Sequence, residues 1–151
     1  MEDRNARRFR MEQLKRNIIR DISYGELFNE CIAVLDPSAR VYSQERSQEI
    51  ADKLTSEFPF TNWGRVDWDS LPNIIKLKDA FDLKRYTTDS NQNFYIIWDE
   101  YNLPVVETTL GDVINHFKEI TAVGFDTWFV NFDESILIEN HHEGEITVVR
   151  K

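Results

Sequence analysis

Residues Asn93–Asp99, NFYIIWD, constrain the fold more than any other segment of the chain. Phe94, Ile96 and Trp98 alternate with Tyr95 and Ile97, so a strand here is apolar on both faces. Such a strand is covered on both sides and runs inside a sheet. The residues after it read as the rest of that sheet. Tyr101-Asn102 makes a turn and Pro104–Glu107 a second strand. Thr109 is placed to cap a helix in which Leu110, Val113, Ile114 and Phe117 fall at i, i+3, i+4 and i+7. Gly124 ends that connection. Asp126–Phe132, Ser135–Glu139 and Glu145–Val149 then read as three strands, with links of hairpin length at Asp133-Glu134 and His142-Glu143-Gly144.

The first part of the chain has a different period. Phe9, Leu14, Ile18 and Ile19 form a loose apolar stripe. Ser23 and Glu26 have capping-box spacing, and Leu27, Phe28, Cys31, Ile32 and Leu35 follow at helical intervals. Asp36-Pro37 ends that helix, because proline disfavours helical geometry in the residue before it. A further helix runs from about Ser43 to Glu57, with Ile50, Leu54 and Phe58 on one face, and Pro59 stops it. Residues 59–92 show no clear period. Trp63-Gly64 suggests a turn, Val66 and Trp68 a short strand, and Thr87–Asn91 a polar loop. The expected architecture is α+β: N-terminal helices followed by a mostly antiparallel sheet of about five strands with one inserted helix. A single domain over 1–151 is expected, helical over 1–58 and sheet-rich over 93–151.

Charge narrows the function. From Tyr86 to Val149 there are twelve carboxylates and one cation, Lys118, a net of −11. The same stretch holds Phe94, Tyr95, Trp98, Tyr101, Phe117, Phe125, Trp128, Phe129 and Phe132. Acid mixed with aromatic surface suits a basic protein partner and repels phosphates. A sequence pI of about 4.8 argues against nucleic acid. Residues 1–20 run the other way, with seven cations against three acids, which reads as a solvated helix start balancing the acidic body. Among the 151 residues, 41% are hydrophobic, enough for a sizeable core. No stretch approaches the roughly 18–20 apolar residues of a membrane span. The charged N-terminus lacks a signal-peptide run, and the lone Cys31 has no internal disulfide partner. A cytoplasmic protein that does not engage membranes is expected.

No catalytic motif stands out. His141 and His142, if both lie on a strand, point to opposite faces and do not chelate one ion. His116 falls on the polar side of its helix with Asp112, Asn115 and Glu119. Cys31 lies on an apolar stripe with Phe28 and Leu35, as a buried structural thiol would. None of the five glycines is paired into a phosphate-binding loop. The acid pairs Asp99-Glu100 and Asp133-Glu134 read as turns rather than as a hydrolytic pair. Neither metal nor cofactor is expected. A binding surface is the sharper reading, with Asp99, Glu100 and Tyr101 at one turn, Asp133 and Glu134 at another, and Glu139 at a strand end, gathered along one edge or face. Of the four tryptophans, Trp98 and Trp128 are expected in the core, and Trp63 is the candidate exposed anchor.

The C-terminal pattern GFDTWFVNFDESILIENHHEGEITVVRK resembles bacterial immunity proteins, the partners of polymorphic toxins, including those of contact-dependent growth inhibition. The likeness covers roughly residues 93–151 and lies in element order: a helix, a Trp-bearing strand, a short strand, then a His/Gly/Glu hairpin. It implies a non-enzymatic inhibitor that binds a cognate toxin domain, often a nuclease, and carries over no contact residues. Two rival classes remain. A small hydrolase or transferase would use the acids with His116, His141 or His142, and needs a histidine and a carboxylate within hydrogen-bond reach in a concave pocket. An oligomeric scaffold module would need a largely apolar interface.

Overall fold

The computed structural model describes residues 24–62, 64–85, 89–100 and 102–151. The basic segment 1–20, the Ser23 cap, Trp63, Thr87-Thr88 and the contact candidate Tyr101 lie outside these residues.

Helix α1 occupies described residues 24–34. It is followed by β1 (Arg40–Val41), α2 (Gln44–Glu57), β2 (Ile75–Leu77), β3 (Asn93–Trp98) and β4 (Val106–Thr109). The chain continues through α3 (Leu110–Asn115), α4 (Phe117–Thr121), β5 (Thr127–Asn131), β6 (Ile136–Asn140) and β7 (Ile146–Arg150). Short 3₁₀ turns occupy Trp68–Ser70 and Ala80–Arg85. The strands form one antiparallel sheet in the order β1-β4-β3-β5-β6-β7-β2.

The class is α+β as expected, but the described residues hold seven strands rather than about five. The two extra strands are the edges. β1, of two residues, lies between α1 and α2, so the N-terminal part is not purely helical. β2, of three residues, comes from the illegible segment. Neither is long enough to show a period of two. Each exists because a longer neighbour, β4 or β7, offers it hydrogen bonds. Short edge strands also limit the unpaired edge that a sheet presents to other chains.

The double-sided reading of β3 holds. Phe94, Ile96 and Trp98 join one buried cluster with Phe28, Cys31 and Leu35 of the α1 region, Val113 and Ile114 of α3, and Phe129 and Ile138 of the sheet. Ile97 joins the other with Ile50, Leu54 and Phe58 of the α2 face, Trp128 and Val130. Trp98 and Trp128 are both core, as expected. α2 is capped by Ser43, whose Oγ accepts the Arg46 N–H at 3.1 Å. Thr109 caps α3 in the same way, accepting from the Asp112 N–H at 3.2 Å. The expected helix does not run through to Phe117. His116 leaves helical geometry (φ −124°, ψ 30°), and α4 starts afresh. After the break Phe117 stacks on Phe129 at 5.6 Å, and the Ile120 carbonyl accepts the Trp98 indole N–H at 2.9 Å. Val66 and Trp68 do not form a strand. Val66 makes an isolated bridge with Phe60, and Trp68 opens a 3₁₀ turn.

Candidate functional site

Register across the sheet decides where Glu139 points. Ile97 pairs with Trp128, Trp128 with Glu139, and Glu139 with Thr147, so all four side chains stand in one row on the α2 face. Glu139 is 1% exposed. Its carboxylate accepts the Trp128 indole N–H at 2.9 Å, the Trp68 indole N–H at 3.0 Å and the Val66 backbone N–H at 3.1 Å. Arg65 Nε donates to it at 2.9 Å, while Arg65 Nη2 reaches Glu145 at 2.9 Å. That hydrogen bond from Arg65, with the nearby charge of Lys76, holds the Glu145 carboxyl below its ordinary pKa. Burying a carboxylate is tolerable only when its oxygens are filled with donors, as they are here. Glu139 is therefore an internal strut, buried on the α2 face rather than exposed at a strand end as the sequence suggested. Three of its four donors, from Arg65, Val66 and Trp68, lie more than seventy positions away in sequence. No local pattern could have pointed to them.

The other candidate acids are not gathered on one edge. Asp99 and Glu100 follow β3, beside Asp126 just before β5, and the Asp99 N–H donates to the Asp126 carbonyl at 3.2 Å. Asp133 and Glu134 lie in the link at the far end of β5, roughly 20 Å away at about 3.3 Å per residue. That far end is electrically mixed. Arg150 pairs with Glu134 at 2.5 Å, and Lys53 sits 4.5 Å above the Phe132 ring.

The Asp99 end opens into a groove of about 420 Å³ between α2 and the strand ends. Its floor is apolar: Leu54, Phe60, Ile97, Leu103, Val105 and Trp128. Asp99, Glu100 and Asp126 stand along it, and no Lys, Arg or His is among the described residues that line it. Asp99 is packed closely against the backbone of Gly124, where an added Cβ would come within 2.7 Å of its Oδ1. The Asp99 carboxyl is held above its ordinary pKa, chiefly by lost hydration and further by the charge of Asp126, against backbone hydrogen bonds.

Beside this end, His141 and His142 lie past β6 rather than on it. Their rings meet at 4.0 Å, and with Asp126 they offer three ligand atoms within 4.8 Å of one another. The expectation that they point apart fails because the strand ends at Asn140. Asp126 Oδ1 is already engaged by the His142 backbone N–H at 2.8 Å and by its ring Nδ1 at 3.0 Å. His142 is not among the residues that line the groove. His116 Nε2 lies 3.7 Å from Asp112 on the opposite face of the sheet. Cys31 is buried as expected, and burial, with Asp112 and Glu119 adding to it, pushes its thiol up to about 12. A thiol so shifted stays protonated and is a poor nucleophile.

The family model described as CdiI immunity protein EcoliA0-like matches residues 25–149. The chain belongs to this family. The match spans both N-terminal helices and the whole sheet, well beyond the resemblance confined to residues 93–151. A 4-hydroxybenzoate-CoA/benzoate-CoA ligase of Rhodopseudomonas palustris is 29% identical over 107 residues, which is 70% of this chain and 20% of the ligase. The chain thus spans about a fifth of the length of that relative. Among the described residues of this CdiI-family chain, no helix is long and apolar enough to cross a membrane.

Proposed function

We propose that this CdiI-family protein neutralises a cationic, nuclease-type toxin domain in the cytoplasm by stoichiometric binding. One observation carries the reading: the net charge of −11 over residues 86–149, part of it standing on an apolar groove without a described cation. A nuclease needs a cationic cleft for its phosphate substrate, and an acidic protein competes for that cleft by imitating phosphate charge. Long-range attraction raises the encounter rate, and aromatic and apolar contacts then slow dissociation. Asp99 and Glu100 at one end, and Asp133 and Glu134 at the other, remain contact candidates, as does Tyr101, which lies outside the described residues. Glu139 does not.

The test is co-expression with candidate toxin domains from contact-dependent inhibition systems. The expected result is growth rescue by one of them, together with co-purification of a one-to-one complex. Rescue without a complex, or a complex whose toxin remains active, would overturn stoichiometric inhibition.

A further inference from the structure

We infer that the groove between α2 and the β3–β5 end of the sheet receives a lysine or arginine side chain projecting from the cognate toxin domain. The inference rests on the immunity reading above and names the place and chemistry of one contact.

The shape and the charge agree on this occupant. A volume of about 420 Å³ falls within the roughly 300–1,000 Å³ of clefts that enclose a ligand. The floor of Leu54, Ile97, Leu103, Val105 and Trp128 offers apolar surface to an aliphatic stem. Lysine and arginine bury such stems while keeping the charged head at a polar boundary. At that boundary stand Asp99 and Glu100, with Asp126 beside them already held by His142, and no described Lys or Arg lines the groove. An apolar ligand would leave the Asp99 and Glu100 carboxylates facing it, and an anionic one would be repelled. The Asp133-Glu134 end lacks this match, because Arg150 and Lys53 already supply cations there. The raised pKa of Asp99 is consistent with an anionic site whose counter-charge arrives from outside.

Two measurements test the inference separately from the immunity reading. The first titrates the full-length protein with N-acetyl-arginine methylamide and, in parallel, with its neutral isostere N-acetyl-citrulline methylamide, followed by NMR. The expected result is arginine-selective shifts at the backbone amides of Asp99, Glu100, Leu103 and Val105, with Kd on the order of 1–10 mM. Equal response to citrulline, or shifts centred on Lys53 and Asp133, overturns the inference. Selective shifts that appear only when Arg7, Arg8 and Arg10 are changed to Gln put the chain's own basic segment in the groove and also overturn it. So does a concentration-dependent dimer that the probe dissociates.

The second uses the toxin domain that the wild-type chain rescues. Asp99→Asn/Glu100→Gln, and separately Ala51→Trp to fill the groove from α2, should each raise the Kd of the complex by roughly 30-fold or more. Glu26→Gln/Glu30→Gln on α1, across the sheet, serves as the charge-matched control and should bind like wild type. If Ala51→Trp fails to fold, the Asp99/Glu100 pair alone decides. Unchanged binding by the groove variants with rescue intact overturns the groove and leaves the immunity reading standing. Failure of the wild-type chain to rescue any toxin overturns that reading, while the arginine titration still decides whether the groove takes a cation.

Discussion

Glu139 shows how a single residue changes role with its surroundings. Its four donors are satisfied only by a carboxylate, since a glutamine offers one acceptor oxygen where the glutamate offers two. Glu139→Gln should therefore cost about 1–3 kcal/mol. Glu139→Ala should cost about 3 kcal/mol or more, because the indole and backbone N–H groups lose their acceptor inside the protein. Urea unfolding checks both, and a Glu139→Gln protein as stable as wild type would show that the network does not depend on the charge. Asp99 is the opposite case, a carboxylate that folding disfavours. Its folded pKa lies above the unfolded one, so between the two values the folded state holds more protons, and stability falls as pH rises through that window. Asp99→Asn should raise the urea midpoint at neutral pH, with the gain disappearing once the pH falls below the ordinary carboxylate range. A gain that persists in acid would assign the effect to packing instead.

At the scale of elements, α2 matters most, because it forms one wall of the groove. Its apolar face packs on the sheet through Ile50 and Leu54. Its position along the strands is fixed by a polar contact. Ser47, buried on the helix, accepts the Val105 backbone N–H at 2.8 Å. Val105 follows Pro104 and precedes β4, so this N–H has no strand partner in the β4 ladder. Ser47→Ala should cost about 1–3 kcal/mol, the penalty of stranding a buried donor. A midpoint shift in chemical denaturation measures it, and no change would mean that water reaches the Val105 N–H. The α3–α4 break has a comparable logic. A continuous helix would follow its own 3.6-residue period, whereas the break at His116 lets Phe117 and Ile120 both reach the sheet.

For the whole molecule, the separation of the acids into two ends is decisive. Charge reversal at Asp99 and Glu100 should slow association with the toxin and flatten its dependence on ionic strength, because long-range steering scales with the local potential. Reversal at Asp133 and Glu134 acts on a surface already balanced by Arg150 and Lys53, so its effect on the rate should be smaller. Stopped-flow association rates over a series of salt concentrations measure both, and equal effects at the two ends would argue against the groove end as the point of first encounter. The signals that exposed the core were local: the double apolar alternation of Asn93–Trp98, the spacing of Ile50, Leu54 and Phe58, and the Thr109 cap. The candidate site was legible only in part. Asp99 and Glu100 could be picked out as an acidic turn, but Asp126, Leu103 and α2 join them through the fold, and nothing in their spacing announces it.

The sequence by itself determined the α+β class, the doubly covered central strand, the Thr109 cap, the burial of Cys31 and an acidic, aromatic C-terminal half. These depend on periods of two and 3.6 residues and on residue chemistry, which act over a few positions. Tertiary structure alone decided that β1 and β2 extend the sheet, that Glu139 turns inward to Arg65 and Trp68, and that the acidic turns stand at opposite ends of β5. The reason is physical. A carboxylate in a chain carries the same charge wherever it lies, and whether it meets water, a buried indole or another carboxylate depends on strand register and on contacts between residues far apart in sequence.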